Sequence, residues 1–169
     1  FKKDQNIVHP LRIQKDILLQ LEESLLLCDT GIIHESGEIH SDQKEQMREI
    51  DVSKLIKANV KLCYEMRNQL LRGVLKEFGA SLNDAWQAKR KFSSKISTPK
   101  LDHIYENAIK HGAAGGKLLG AGGGGFFLFF VDPIKRSSLV DYLQNAGLSP
   151  TNFKFEPEGL QSWKVRDVK

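Results

Sequence analysis

The stretch that decides the fold runs from Gly115 to Val131 and reads GGKLLGAGGGGFFLFFV. It places seven glycines in the eleven positions 115–125, directly before six consecutive apolar residues. A short apolar run bounded by turn residues predicts a buried strand at Phe126–Val131. So many glycines raise the entropy cost of folding, which indicates that bare backbone is needed in this segment.

Two explanations of the glycines are open. One is a loop whose N–H groups approach phosphate oxygens closely, and the other is a tight turn between two strands. A turn needs one or two glycines rather than seven, which favours the phosphate loop. Gly120–Gly125 formally matches G-x-G-x-x-G, but the dinucleotide-binding version requires a helix afterwards, and a strand follows here. The Walker A pattern fails as well, because His111 and Leu118 stand where it requires Gly and Ser or Thr.

Working outward from this segment, apolar periodicity predicts the other elements. Before it we expect an edge strand at His9–Ile13, a helix at Asp16–Glu23, a strand at Ser24–Cys28, the start of a helix in Gly37–Ile50, one long helix at Val52–Phe78 ended by Gly79, a helix at Leu82–Phe92, and a helix opened by Thr98-Pro99 and stopped by Gly112. After it we expect a helix from Asp132-Pro133 to Gly147 and a strand at Phe153–Glu156. This order is typical of an α+β fold, a ferredoxin-like split β-α-β-β-α-β sheet with extra helices in the first crossover.

Composition and charge exclude several classes of protein. The 169 residues are 40% hydrophobic and 27% charged, which is the range of soluble globular domains rather than disordered chains. The formal net charge of +4 suits an anionic ligand but is too small to indicate nucleic acid. Cys28 and Cys63 lack metal-ligand spacing, so we expect a reduced protein and assign no metal ligand. No apolar run approaches the ~20 residues that cross a bilayer, and no signal peptide is recognisable, so we expect a cytoplasmic protein without a membrane partner.

The string from Lys117 to Gly125, running straight into a hydrophobic strand, resembles the third signature motif of the GHMP kinases. Three further segments are similar to the heptose-phosphate kinases of that family: LLLCDTGI at 25–32, the Trp-x-x-Lys pattern at 86–89, and FKFEPEG at 153–159. The resemblance extends from about His9 to Gly159. It departs at His34, near which the family pattern has an arginine.

The resemblance implies that residues 1–169 are a GHMP kinase C-terminal domain and that an N-terminal ATP-binding lobe lies outside this sequence. The start at Phe1 rather than Met agrees with a fragment. The resemblance also implies ATP with Mg²⁺ as the phosphoryl donor, and D-glycero-D-manno-heptose 7-phosphate, phosphorylated at its anomeric hydroxyl, as the acceptor. The catalytic residues would belong to the other lobe, and none is assigned here. Two alternatives stay open: another sugar 1-kinase of the fucose or galactose type, and a non-catalytic ferredoxin-like ligand-binding module.

The candidate site residues follow from the loop and from the resemblance. The phosphate-loop candidates are Gly120, Ala121, Gly122, Gly123, Gly124 and Gly125, with Lys117 as an added charge. The substrate-binding candidates are Thr30, Gly31, His34, Trp86 and Lys89. Trp86 and Lys89 lie one helical turn apart, where they offer a sugar-stacking surface and a cation for the 7-phosphate, unless they are a packed tryptophan and a solvated lysine. Thr30 and Gly31 are expected in the cleft, unless they only form the turn that ends a strand.

Overall fold

The computed structural model describes residues 8–33 and 52–165. In chain order the elements are α1 (Lys15–Ser24), β1 (Leu25–Asp29), α2 (Val52–Arg72), α3 (Leu75–Arg90), α4 (Pro99–Lys110), β2 (Ala113–Leu118), β3 (Phe126–Val131), a 3₁₀ turn (Pro133–Lys135), α5 (Arg136–Asn145) and β4 (Ser149–Thr151). Within these residues no helix combines the length and the apolar character needed to cross a membrane.

The four strands form one antiparallel sheet with the order β2-β3-β1-β4. Leu25 pairs with Phe130, and Ala113 pairs with Val131, so the start of β1 and the start of β2 meet the end of β3. At the other end of the sheet, Asp29 lies between Phe126 and Ser149. The predicted α+β class is therefore confirmed, with β3 between β1 and β2, and with α2, α3 and α4 in the chain between those two strands.

β3 contributes alternate side chains to two hydrophobic clusters, as the two-residue period of a strand requires. Phe127 and Phe129 are fully buried in a cluster that includes residues of α4 and α5, such as Leu101 and Leu139. Phe130 belongs to a second cluster with residues of α1 and α3. The apolar run that follows the glycines is therefore buried because it is the central strand of a sheet covered by helices.

The long helix predicted at Val52–Phe78 is wrong in its boundary, because the helix ends at Arg72 and a new one starts at Leu75. Gly73 adopts the left-handed conformation at φ +69°. Its N–H donates to the carbonyl of Leu70, and the next N–H, that of Val74, donates to Gln69. This bonding is the usual glycine C-cap of a helix. The predicted start of the next helix at Leu82 is also wrong, because that helix, α3, already begins at Leu75.

Gly79, predicted to end a helix, lies inside α3 and allows this helix to pack closely on the sheet. A Cβ atom at Gly79 would lie 2.4 Å from the Phe130 ring, and a Cβ atom at Gly115 would lie 2.1 Å from the Gly79 carbonyl oxygen. Gly115 is part of β2, as are Gly116 and Lys117. The glycine-rich segment is therefore not one loop: its first glycine, Gly115, makes room for a helix, and only residues 119–125 connect two strands.

Two of the predicted strands are also wrong. His9–Ile13 has no strand, and the N–H of Ile13 donates to the carbonyl of Leu11 in a tight local turn. The last strand is Ser149–Thr151 rather than Phe153–Glu156, because the Phe155 N–H donates to the Glu22 carboxylate instead of a strand neighbour. The predicted Gly37–Ile50 helix lies outside the described residues.

The remaining elements confirm the sequence predictions. The helix at 15–24, the strands at 25–29 and 126–131 and the helix before Gly147 all lie where the periodicity placed them, within a few residues. Thr98 caps α4, since its hydroxyl oxygen accepts the Leu101 N–H at 3.3 Å, and Pro99 occupies the first turn.

We expect Gly115→Ala to lower the free energy of unfolding by about 2 kcal/mol or more, because the added methyl group meets a backbone atom of α3 that cannot move aside alone. The backbone at Gly115 is not in the left-handed region, so the effect is steric. Urea denaturation measures it. The control is Ala114→Ser, an exposed neighbour in the same strand, for which we expect a change within about 0.5 kcal/mol. Equal stability of the two variants would contradict this packing.

Candidate functional site

The candidate site is the loop of residues 119–125 between β2 and β3, at the end of the sheet where β1 also ends. Four of its glycines have positive φ angles: +70° at Gly120, +129° at Gly122, +75° at Gly123 and +88° at Gly125. Other residues rarely adopt these conformations, so the glycines are required by the path of the backbone itself. Three neighbouring segments hold this path in place.

The first segment is the end of β1. The N–H and the hydroxyl of Thr30 both donate to the Gly125 carbonyl oxygen, at 2.9 and 2.6 Å. The Gly125 N–H donates to the carbonyl of Ile32 at 3.0 Å, and a Cβ atom at Gly124 would lie 2.3 Å from that same oxygen. The end of β1 and the end of the loop are therefore in direct backbone contact.

The second segment is the connection between α3 and α4, which contacts the middle of the loop. The Gly123 N–H donates to the carbonyl of Ile96 at 2.9 Å, and a Cβ atom at Gly122 would lie 2.8 Å from the Ile96 Cα. Ile96 is itself fully buried. The connection is further held by the Asp102 carboxylate, which accepts from the Ser97 hydroxyl at 2.6 Å and from the guanidinium of Arg90 at 2.9 Å.

The third segment is the last turn of α3, which contacts the start of the loop. The ammonium group of Lys89 donates to the carbonyl oxygens of Leu118 at 2.9 Å and Gly120 at 2.6 Å. Burial, and to a smaller extent the charge of Lys117, lower the pKa of Lys89 to about 8. Two lysines therefore lie close enough at the start of the loop to influence each other.

The loop leaves several backbone donors free. The N–H groups of Leu119, Gly123 and Gly125 donate to protein carbonyls. In the part of the chain that the structure describes, those of Gly120, Ala121, Gly122 and Gly124 have no protein acceptor. Successive free N–H groups in a loop with positive φ angles form a concave site for an anion, to which nearby lysines add positive charge. The geometry therefore fits a phosphate group better than a plain connection between two strands.

A groove of about 750 Å³ includes Lys117 of β2 in its lining, whereas none of the residues 119–125 lines it. It lies between α2 and α3, and its lining includes Ile56, Tyr64 and Arg67. The groove therefore combines apolar surface with two cations, Arg67 and Lys117.

The substrate-binding candidates are placed differently from one another. Trp86 is fully buried, and its ring packs on Tyr105 and Phe127 at centroid distances of 6.0 and 5.6 Å. The substrate-binding role of Trp86 as a sugar-stacking surface is therefore wrong, and the alternative left open in the sequence, a packed tryptophan, is what the structure shows. Helical spacing from Lys89 correctly places the two residues on one side of α3 but does not reveal which side is buried.

Thr30 and Gly31 lie at the end of β1, as predicted, but their polar groups are used within the protein. The Thr30 hydroxyl uses its one hydrogen on Gly125, and its oxygen also accepts the Ile32 N–H at 3.2 Å. The Gly31 N–H donates to the Asp29 carboxylate at 2.9 Å in a local turn. Direct contact of these residues with a substrate stays a prediction, and His34 lies outside the described residues.

Sequence reasoning missed the residues that position the loop from a distance. Ile32, Ile96 and Asp102 carry no motif and act through a backbone carbonyl or through a neighbour. An acidic residue in the first turn of a capped helix, here Asp102 of α4, can be recognised in the sequence, but nothing there connects it with the glycines.

The fold and the loop together define a class: an α+β domain with an antiparallel four-stranded sheet and a glycine-rich loop before the inner strand β3. Comparison with known proteins identifies the family. Residues 66–148 match the family model described as GHMP kinases C terminal. The chain therefore contains a GHMP kinase C-terminal domain.

Individual relatives agree with this assignment. The chain is 33% identical over 159 residues to the D-glycero-alpha-D-manno-heptose 7-phosphate kinase of Campylobacter jejuni, an alignment that covers 94% of this chain and 47% of that protein. A crystal structure of a sugar kinase from C. jejuni superposes with a TM-score of 0.68 at 33% identity, over 96% of this chain and 45% of the other. That of a D-glycero-D-manno-heptose 1-phosphate kinase from Bacteroides thetaiotaomicron gives 0.62 at 25% identity, over 95% and 42%. The chain thus spans less than half the length of these relatives.

We expect Thr30→Val to lower the free energy of unfolding by about 2 kcal/mol, because the part-buried Gly125 carbonyl and Ile32 N–H lose the buried Thr30 hydroxyl as a partner. Chemical denaturation measures the change. Thr151→Val on β4 is the matched control, since that threonine is exposed, and there we expect no more than about 0.5 kcal/mol. If the two substitutions had the same effect, the Thr30 hydroxyl would not hold the loop.

Proposed function

We propose that this chain is the C-terminal lobe of an ATP-dependent sugar kinase, in which the loop 119–125 binds the phosphoryl group that is transferred. The observation that supports the proposal most directly is that the N–H groups of Gly120, Ala121, Gly122 and Gly124 have no acceptor among the described residues, on a loop held by three neighbouring segments. Phosphoryl transfer depends mainly on positioning and on stabilising charge at the phosphate oxygens, and a fixed array of donors supplies both.

The proposed acceptor is D-glycero-D-manno-heptose 7-phosphate, with transfer of the γ-phosphate of ATP to the anomeric hydroxyl. The bond between the γ-phosphorus and its bridging oxygen breaks, a bond to the sugar O1 forms, and the products are ADP, the 1,7-bisphosphate and one proton. The name of the C. jejuni relative supports a heptose 7-phosphate. The cations Lys117 and Arg67 along the groove suit a substrate that carries a phosphate of its own.

The second lobe and the metal ion belong to the same proposal. Among the described residues no group of three or more His, Cys, Asp or Glu side chains is placed to hold a metal ion. These residues therefore do not fit Mg²⁺ by themselves, and we propose that its protein ligands and the base that accepts the sugar proton lie on an N-terminal lobe. The overlap with less than half of the C. jejuni relative leaves room for such a lobe. A cytoplasmic location stays a prediction from the sequence.

We expect residues 1–169 alone to have no kinase activity, because phosphoryl transfer needs the metal ion and the base that this chain does not supply. A coupled assay of ADP release, with ATP, Mg²⁺ and heptose 7-phosphate, tests this. The full-length protein encoded by the same gene is the positive control. ATP-dependent phosphorylation by the isolated chain would contradict the division of roles between two lobes.

The test of the function itself is ADP release by the full-length protein with a panel of sugars and sugar phosphates. We expect turnover with heptose 7-phosphate, and loss of at least ~100-fold in kcat/KM in Gly122→Val, because the new side chain collides with Ile96 and moves the donors. Gly147→Val is the matched control, since it also places valine at a positive φ, +74°, but with no atom within 4 Å of the Cβ.

Three outcomes discriminate the candidates. Turnover only with fucose or galactose would replace the heptose assignment while keeping the kinase. Ligand binding without ATP turnover by any sugar would favour the non-catalytic module. Full activity of Gly122→Val would show that the loop does not take part in the reaction.

A further inference from the structure

The two hydrogen bonds of Lys89 fix the orientation of two peptide groups of the glycine loop. In a trans peptide the carbonyl of one residue and the N–H of the next point in opposite directions, and no cis peptide bond occurs in the described residues. Because Lys89 binds the Leu118 carbonyl, the Leu119 N–H points away from Lys89, and it donates to the Phe126 carbonyl at 2.8 Å. Holding the Gly120 carbonyl at 2.6 Å likewise directs the Ala121 N–H away from Lys89. This N–H is one of the free donors of the loop.

The same contact changes the charge that an approaching phosphate meets. A glycine has no side chain to limit rotation of its peptide groups, so an unrestrained Gly120 peptide can turn its carbonyl oxygen outward. An outward carbonyl would present partial negative charge to the phosphate oxygens. With its oxygen bound to an ammonium group, the peptide presents its N–H outward, and the positive charge lies behind it.

The position of Lys89 is itself fixed by the core. Trp86, one turn earlier in α3, is fully buried, and the close contact of Gly79 with the sheet sets the direction of the helix. Lys89 thus reaches the loop from a rigid element and uses two of its three N–H groups there, on carbonyls of the protein. A cation that binds the second phosphate of a sugar would instead direct its N–H groups into the cleft.

We propose that Lys89 is a positioning residue, which turns the peptide groups of the glycine loop so that their N–H groups face the transferred phosphate. The phosphate part of this inference rests on the proposed function, whereas the orientation of the loop does not. Lys89 acts through the loop backbone, so its removal affects the phosphoryl group in the transition state more than the binding of the sugar.

The experiment compares Lys89→Met and Lys89→Arg in the full-length protein, with Lys76→Met as control. Lys76 is exposed in the first turn of the same helix and has no place in the site. We expect Lys89→Met to lower kcat by ~10- to 100-fold with the KM for the sugar phosphate changed less than about threefold. Lys89→Arg keeps charge and donors and should recover most of the lost rate, and Lys76→Met should equal the wild type.

Other kinetic outcomes overturn the proposal. A raised KM for the sugar phosphate with unchanged kcat would assign Lys89 to the substrate, as would full activity of Lys89→Met on sugars without a phosphate. Wild-type kinetics in Lys89→Met would show that the contact has no role. If Lys89→Met does not fold, Lys89→Gln, which keeps one neutral donor, replaces it in the comparison with Lys89→Arg.

A second readout separates this inference from the proposed function. Amide hydrogen exchange of the peptides covering 116–126 is measured for the same variants without any ligand. Faster exchange in Lys89→Met alone, restored in Lys89→Arg, supports the orientation of the loop by Lys89 even if the wild type turns over no sugar. Equal exchange in all variants overturns it even if the wild type is an active kinase.

Discussion

The close contact between α3 and β2 is the constraint on which the rest of the structure depends. Gly115 lies against the Gly79 carbonyl oxygen and Gly79 lies against the Phe130 ring, with no room for a methyl group on either glycine, so the helix lies directly on the sheet. At 1.5 Å per residue, Lys89 is about 15 Å further along the helix, which brings it to the end of β2. A side chain at the glycine pair would lift the helix, and the contact between Lys89 and the loop would be lost with it.

The local parts of the fold could be predicted from the sequence, because their signals lie within a few residues. The strand Phe126–Val131 and the helix opened by Thr98-Pro99 are examples. The helix break at Gly73 could not be placed, since apolar periodicity continues across it and a second glycine, Gly79, looks equally able to end a helix. Whether a glycine ends a helix or packs inside it depends on what faces it, and this information comes from other parts of the chain.

The candidate site also has a part that the sequence predicts and a part that it does not. The loop itself was predictable from the number of its glycines, but the residues that hold it were not. Ile96 contributes a backbone carbonyl, which every residue has, so its type carries no signal. The sequence could not decide between a packed and a sugar-stacking Trp86, because spacing along a helix defines which residues share a face and leaves open whether that face is buried. Thr30 was found by its position after β1, but nothing in the sequence indicates that its hydroxyl donates to the Gly125 carbonyl.

The hydrogen bonds between Thr30 and Gly125 join residues 95 positions apart in the sequence, and those of Lys89 to Gly120 span 31. Contacts between distant residues form slowly, because the chain must close a long segment before they can contribute. The shape of the loop therefore arises only after β1, α3 and β3 have come together, so a partly folded chain has the glycines but not the site. A phosphate that binds the finished loop selects the native state over earlier states, and its binding free energy then adds to the stability of the whole domain.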